Sequence, residues 1–503
     1  MNWKLIWKSL FDVEMRRKIL IVMGILLIYR ILAHIPIPLS DAGTLRQILT
    51  TLLSSSDTPQ FLNFLNVLSG NALQNFSIML VGLIPYINAS IIMQLLTRAI
   101  PKLEVLNKEG EFGRKKINQI TRMLTLPLAI IQSIGMIYLV RQQASQIAGL
   151  GDITANTSIV QWILMIAALT GGSMILMWLG ELITEQNIGN GISLLITVGI
   201  VSSLPGTVSG LVSGLFSKEN RWNVFNTELP ISYDGLRLFA VLALLSIIMV
   251  VVVVKLNEAA RRLTVNYAKR VQGNRTYGGV TTTLPVKLIG AGVVPIIFAV
   301  AFLSVPSFIG QILTSNQSPN LQALGANLVS WFQQPTFQTF VAADWHSYIY
   351  PVAYFLLVFM FTFFYTNITF NAKDIAENLQ KQGGFIADVR SGIQTEKYLS
   401  KVVNRLTLFG GIAIGMIAIL PIMAEIVLKY QGIGIAGTSV LILVAVSLET
   451  LRKIESQALM ITYSQYDGTD FFQAPDAEEE MKKRKFGRFV PFKNFKPFRK
   501  KDK

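Results

Sequence analysis

Few residues in this chain could do chemistry, and their spacing gives them little to work with. Glu181 and Glu185, in WLGELITEQNIGNG, close an apolar stretch, where carboxylates cap a helix or anchor a loop. The only two histidines, His34 and His346, are too scattered for a metal cluster; each sits at an interface, beside Pro36 and Trp345. There is no cysteine, hence no disulfide, thiolate metal site or cysteine nucleophile. Neither a Walker lysine motif nor an HExxH zinc motif is present. No nucleophile–base pair can be assembled, so no enzyme, cofactor or metal is expected.

The more informative polar residues lie in SGNALQNFSIMLVGLIPYINASIIMQLLTR, residues 69–98. Its second half, Met79 to Thr97, is apolar for about one membrane width. It nevertheless carries Gly82, Pro85, Tyr86, Asn88, Ser90 and Gln94, for which a helix facing only lipid has no use. Pro85 is expected to kink that helix, which lipid tolerates only where protein or water re-satisfies the freed carbonyl. Asn71 to Ser77 is too polar to span and reads as a short re-entrant segment beside a cavity. The alternative is an ordinary spanning helix with packing-tolerant polar residues.

The elements that must position these residues follow from composition. Hydrophobic residues make up 51% and charged ones 15% of 503, with mean hydropathy +0.48, so the chain is a polytopic membrane protein. Ten stretches are long and apolar enough to span: 19–37, 79–97, 123–140, 159–179, 189–212, 237–255, 288–313, 349–370, 406–428 and 436–457. The charged start carries no cleavage-site pattern, so 19–37 is expected to be a retained first span. Of 45 Lys and Arg residues, 38 fall in the N-terminus, alternate loops and the region after 451. That asymmetry puts both termini in the cytoplasm. Loops 256–287 and 371–402 are basic, Gly-studded and long, each with an extended end, TVNYAKR and GGFIADVR. They read as a docking surface for something large and acidic: nucleic acid, an acidic protein face or anionic lipid. Apart from Arg30, the spans hold almost no ionisable residue away from their ends, which argues against a pump or ion-coupled transporter. A secondary transporter, also built from inverted halves with broken helices, is the rival class.

Eight motifs in order carry a resemblance: IPIP (35–38), LIPYINASIIMQLLT (83–97), KEGEFGRKKINQITR (108–122), WLGELITEQNIGNGIS (178–193), RRLTVNYAKR (261–270), LPVKLIGAGVVPIIFA (284–299), NAKDIAENLQKQGGFI (371–386) and GTSVLIL (437–443). Over about nine-tenths of its length the chain resembles the SecY family, channel-forming subunits of the bacterial protein-export translocon. The resemblance implies an all-α fold of ten transmembrane helices in two inverted five-helix halves around an hourglass pore. Here the halves are 19–212 and 237–457, joined by an external hinge at 213–236, with a cytoplasmic N-terminus, 1–18, and a tail, 458–503. It implies passage of secretory polypeptides bearing signal sequences, sideways release of transmembrane segments into lipid, and residence in the cell membrane. The implied partners are SecE and SecG, the SecA motor ATPase, the ribosome, nascent polypeptides and membrane lipid.

By motif, the family's constriction falls on Leu83, Ile87, Ile192, Ile196, Ile297 and Ile442, an apolar ring that would gate by dewetting. The plug falls on Asn71, Ala72, Leu73, Gln74, Asn75, Phe76 and Ser77, about 71–78. The lateral gate, between spans two and three on one side and seven and eight on the other, takes Gln94, Thr97, Thr125 and Ile289. Ile289 replaces the family's Asn, which predicts a gate resting on apolar contact and a shifted hydrophobicity threshold for insertion. SecA and ribosome contacts fall on Arg261, Arg262, Arg270, Arg275 and Arg390, with Ser391 where the family has proline. Beyond Tyr466 the family pattern ends. Phe486, Phe489, Phe492, Phe495 and Phe498 recur every third residue among basic residues, with Pro491 and Pro497 forbidding a regular helix. A polyproline-like strand would put all five on one edge, a strip for ribosomal RNA or anionic lipid.

Overall fold

The computed structural model describes residues 12–37, 66–67, 69–146, 158–216, 221–224, 227–267, 270–272, 275–277, 279, 281–290, 292, 294–314, 318–335, 345–428 and 433–466. In chain order the N-terminal part holds α1 (Val13–Leu32), α2 (Ile84–Ala99), a short α3 (Pro101–Lys108), α4 (Glu111–Gln146), α5 (Ile159–Glu185) and α6 (Gly191–Leu215). A hairpin of β1 (Arg221–Val224) and β2 (Thr227–Ser232) follows, within the expected hinge. Next come α7 (Tyr233–Glu258), β3 (Ala260–Tyr267), β4 (Arg270–Gln272), β5 (Arg275–Tyr277) and β6 (Thr281–Lys287). The chain continues through α8 (Val294–Thr314), α9 (Pro319–Phe332), α10 (Ile349–Thr369), α11 (Ala372–Lys381), β7 (Gly384–Ile386), α12 (Ile393–Leu428) and α13 (Ile433–Tyr466). Lys18–Lys453 form one compact unit, which contains both expected halves up to Lys453; Met1–Arg17 with Ile454–Lys503 form the other.

Each of the ten apolar stretches falls on a helix. Among the described residues, six helical stretches are long and apolar enough to cross a membrane by length and composition alone. Of the rest, α2 has only 16 residues, and α1 starts with Glu14, Arg16, Arg17 and Lys18. The sides of α1 explain its setting. Val22, Ile25 and Tyr29, spaced three or four apart, are buried, while Leu20, Met23, Leu27 and Ile31 are exposed. A helix apolar on both its buried and its exposed face suits lipid outside and protein inside.

Two sequence expectations need correction. Pro85 does not kink a helix, because α2 begins only at Ile84 and Pro85 lies in its first turn. There the missing N–H would have had no intrahelical partner anyway. The ten-stretch reading also has no element between 313 and 349, where α9 stands. Too short to span, α9 packs back on α8 at a glycine crossing. A Cβ on Gly325 would lie 2.7 Å from Gly310 O and 2.6 Å from Thr314 N.

The two basic loops are not separate projections. β3 pairs with β6 and also with β7, giving a three-stranded antiparallel sheet in the order β6-β3-β7. Alternation along β3 buries Leu263 and Val265 and exposes Arg262 and Thr264. The buried pair packs with Val286, Ile386, Leu379, Leu399 and Val403 into a small core of its own.

Candidate functional site

The six side chains expected to form the ring come together. Ile87, Ile196 and Ile442 are buried members of one apolar cluster, and Leu83, Ile192 and Ile297 pack against it. Four helical elements supply them. Leu83 caps α2 and stands one turn from Ile87; Ile192 and Ile196 share a face of α6; Ile297 comes from α8 and Ile442 from α13. Five of them, all but Ile192, line a common cavity with Val81, Ala301, Ser69 and Ser304. No charged side chain lines it. An apolar, uncharged lining of this kind offers water and ions little to bind.

The Asn71–Ser77 segment is a run of turns that follows Ser69, one of the residues lining that cavity. Ala72, Leu73, Phe76 and Ser77 are buried, and Gly70, Asn71 and Phe76 adopt left-handed backbone conformations. Its ties run to the end of α1. Tyr29 Oη donates to Ser69 O at 3.1 Å, Arg30 Nη1 to Gly70 O at 2.9 Å, and Ser77 Oγ to Leu32 O at 3.0 Å. Backbone bonds add Ile37 N to Phe76 O and Ile78 N to Ile35 O. Sequence reasoning noted Arg30 only as a stray intramembrane charge. Its partner is a carbonyl at the start of this segment, in line with the rule that such charges find partners inside the protein. On the far side, Ser173 Oγ of α5 donates to Gly82 O at 3.1 Å.

Beside the ring, a largely apolar groove opens between α2, α4 and α8. Ile91, Leu95, Ile131, Phe302 and Ile312 line it, with Asn88, Gln132 and Ser304 as its polar residues. The four expected gate residues are not part of this lining. Thr97 and Thr125 donate to their own helices, at Met93 O and Thr121 O, and Gln94 Nε2 donates to Ser90 Oγ. Ile289 lies elsewhere, in an apolar pocket with Val253, Ile296, Ile414, Ile417 and Leu441. An unpartnered amide there costs about 1–3 kcal/mol. Ile289→Asn should therefore lower the thermal unfolding midpoint of the purified protein. An unchanged midpoint would mean that the amide reaches a partner such as Asn257, which also lines this pocket. A direct clasp joins α2 to α10, where Arg98 Nη2 donates to Asn367 O at 2.8 Å.

Glu181, expected to cap a helix or anchor a loop, ties α5 to α4. Arg122 Nε of α4 donates to its Oε1 at 2.8 Å, and Nη2 lies against Oε2. Arg261 and Arg262 on β3 and Arg390, four residues beyond β7, are exposed. Arg270 and Arg275 stand in the β4–β5 hairpin, where Arg275 pairs with Gln272 and Arg270 with Tyr277 in register; their side chains lie outside the described residues. At the end of β6, burial and then the nearby Arg452 charge pull the Lys287 ammonium below its usual range, with Glu449 opposing them. Among the described residues no group of His, Cys, Asp and Glu could hold a metal ion.

A family model, SecY, matches residues 77–451. The chain belongs to the SecY family. The SecY protein translocase subunit of Streptomyces griseus is 39% identical over 454 residues, covering 90% of this chain and 96% of that one. The SecY subunit of Mycobacterium tuberculosis is 37% identical over 460 residues, covering 90% and 97%. Among solved structures, a protein-conducting channel superposes with TM-score 0.57 at 16% identity, covering 90% of this chain and 94% of that one. The channel of a canine ribosome–channel complex from the endoplasmic reticulum gives TM-score 0.54 at 16% identity, covering 87% and 91%. The fold is thus that of the SecY channels, a multi-pass helical membrane protein.

Proposed function

We propose that this chain is the pore of a protein translocase. It passes unfolded secretory polypeptides through the Leu83–Ile442 ring and releases apolar segments sideways through the groove between α2, α4 and α8. The segment Asn71–Ser77 is the plug at rest. The chain performs no covalent chemistry of its own; SecA or a translating ribosome, docked on the sheet formed by loops 256–287 and 371–402, supplies the drive. SecE and SecG complete the complex in the cell membrane, with both termini cytoplasmic. Residues 467–503 lie outside the described structure; their aromatic-basic sequence suits ribosomal RNA or anionic lipid.

The observation that carries this reading is the meeting of six aliphatic side chains from four helical elements in one uncharged cluster. A photoreactive residue in place of Ile87 tests it. A stalled nascent chain in membranes should crosslink there when it bears a signal sequence, and lose the crosslink when the signal is removed. Signal-independent crosslinking, or none in a folded complex, would contradict the channel reading.

A further inference from the structure

The side chain of Phe308 crosses from one half to the other. It lies on α8, yet it packs against the cluster formed by Ile37, Leu73, Phe76, Met136, Ile137 and Leu169 and their neighbours. Among the described members of that cluster it alone comes from beyond α6. Its seat is a notch in α4 where Gly135 has no side chain. A Cβ atom on Gly135 would lie 2.1 Å from Phe308 Cζ, 2.6 Å from its Cε1 and 3.1 Å from Ile312 Cδ1. Real Cβ atoms do not approach so closely, so a side chain at this position would make the ring shift from its seat. The same ring forms part of the groove wall, and Leu73 and Phe76 of the same cluster belong to the plug. Just before it, Pro306 lies inside α8 and can give no N–H to Phe302 O, while Ser304 Oγ turns back to Ala301 O at 2.7 Å. Both features weaken a helix locally.

We propose that Phe308 is the positioning residue that couples the lateral gate to the plug, a deepening that rests on the channel reading above. Parting α8 from α4 must draw the ring out of the Gly135 notch. The cluster that holds Leu73 and Phe76 then loses one of its walls, so the plug loosens as the groove opens. An apolar segment entering the groove competes for the surface the ring covers, which ties plug release to the arrival of that segment.

The chain has no cysteine, so Ser77→Cys supplies a single thiol at a fully buried plug position. The full chain is reconstituted with its partner subunits in vesicles. Phe308→Ala should raise both maleimide labelling of Ser77→Cys and resting ion conductance at least about tenfold, the factor that 1.4 kcal/mol represents. Phe308→Leu, which keeps an apolar knob, should restore most of both. Gly135→Ala should act in the same direction by expelling the ring. Combined with Phe308→Ala it should add far less than its effect alone, as expected for residues in contact. Additive effects, conductance rising without labelling, or no change in either would overturn the coupling. Failure of the unmutated complex to pass a signal-bearing polypeptide would instead overturn the channel reading beneath it.

Discussion

Gly172→Ala should unseat the plug and leave the resting channel leaky. In an isolated helix this change stabilises by about 1 kcal/mol, since alanine is the better helix former. Here the sign reverses, because a Cβ on Gly172 would lie 2.0 Å from Ile78 O and 2.8 Å from the carbonyl carbon. The atom it meets is backbone, which cannot turn aside as a flexible side chain can. Ile78 is itself held by its N–H bond to Ile35 O, and the neighbouring Ser77 by its bond to Leu32 O. Overpacking of this kind costs about 1–3 kcal/mol. The segment 77–82 must move, or α5 must. Gly171 gives the control, since an added Cβ there meets no atom within 4 Å. Resting ion conductance of the reconstituted complex should rise for Gly172→Ala and stay at the unmutated level for Gly171→Ala. Equal conductance in both would show that 77–82 does not seal the pore.

What could be read from the sequence and what could not divide along physical lines. Hydropathy is a local property, so all ten apolar stretches were legible and each is a helix. The ring was legible only through the family motifs. Nothing in an isolated isoleucine distinguishes Ile297 from its lipid-facing neighbours, and the convergence of Leu83, Ile196 and Ile442 is tertiary. Extended ends were visible in TVNYAKR and GGFIADVR, but not their pairing. Val265 meets Ile386 across more than a hundred residues, and no local pattern encodes that choice of partner. Pro85 misled because proline looks the same in the first turn of a helix as in its middle; only the start of α2 at Ile84 decides. Ile289 is a different case. The motif marks it as a gate position, whereas its side chain packs toward α7, α12 and α13 in an apolar pocket. Asn88 and Gln132, which line the groove instead, offered a signal in Asn88, a polar residue in a stretch otherwise fit to span.

Arg390→Glu should abolish SecA-driven export while leaving the channel folded. The sequence raised a question of stiffness, since Ser391 stands where the family has proline. The backbone answers with hydrogen bonds. Thr395, itself buried, donates through Oγ1 to Arg390 O at 2.9 Å, and Val389 N donates to Ile386 O just after the β7 strand. Asp388 and Gly392, on either side, adopt left-handed conformations that fix the turn. The guanidinium is exposed and has no ion pair among the described residues. An arginine held at its backbone and free at its tip is pre-arranged for an acidic partner, with little of its ordering left to be done on binding. Reversing its charge sets like against like at such an interface, which costs several kcal/mol. At 1.4 kcal/mol per factor of ten, docking should weaken by about 100-fold or more. The core beneath, Leu263, Val265, Ile386 and Leu399, does not include this side chain, so the fold should survive. Arg390→Lys should retain part of the activity, because the charge remains while the planar fork is lost. The check is ATP-dependent uptake of a signal-bearing protein into vesicles, beside SecA binding to the same vesicles. Normal uptake with Arg390→Glu would remove Arg390 from the docking surface. Lost uptake with unchanged SecA binding would move its role from docking to a later step of transport.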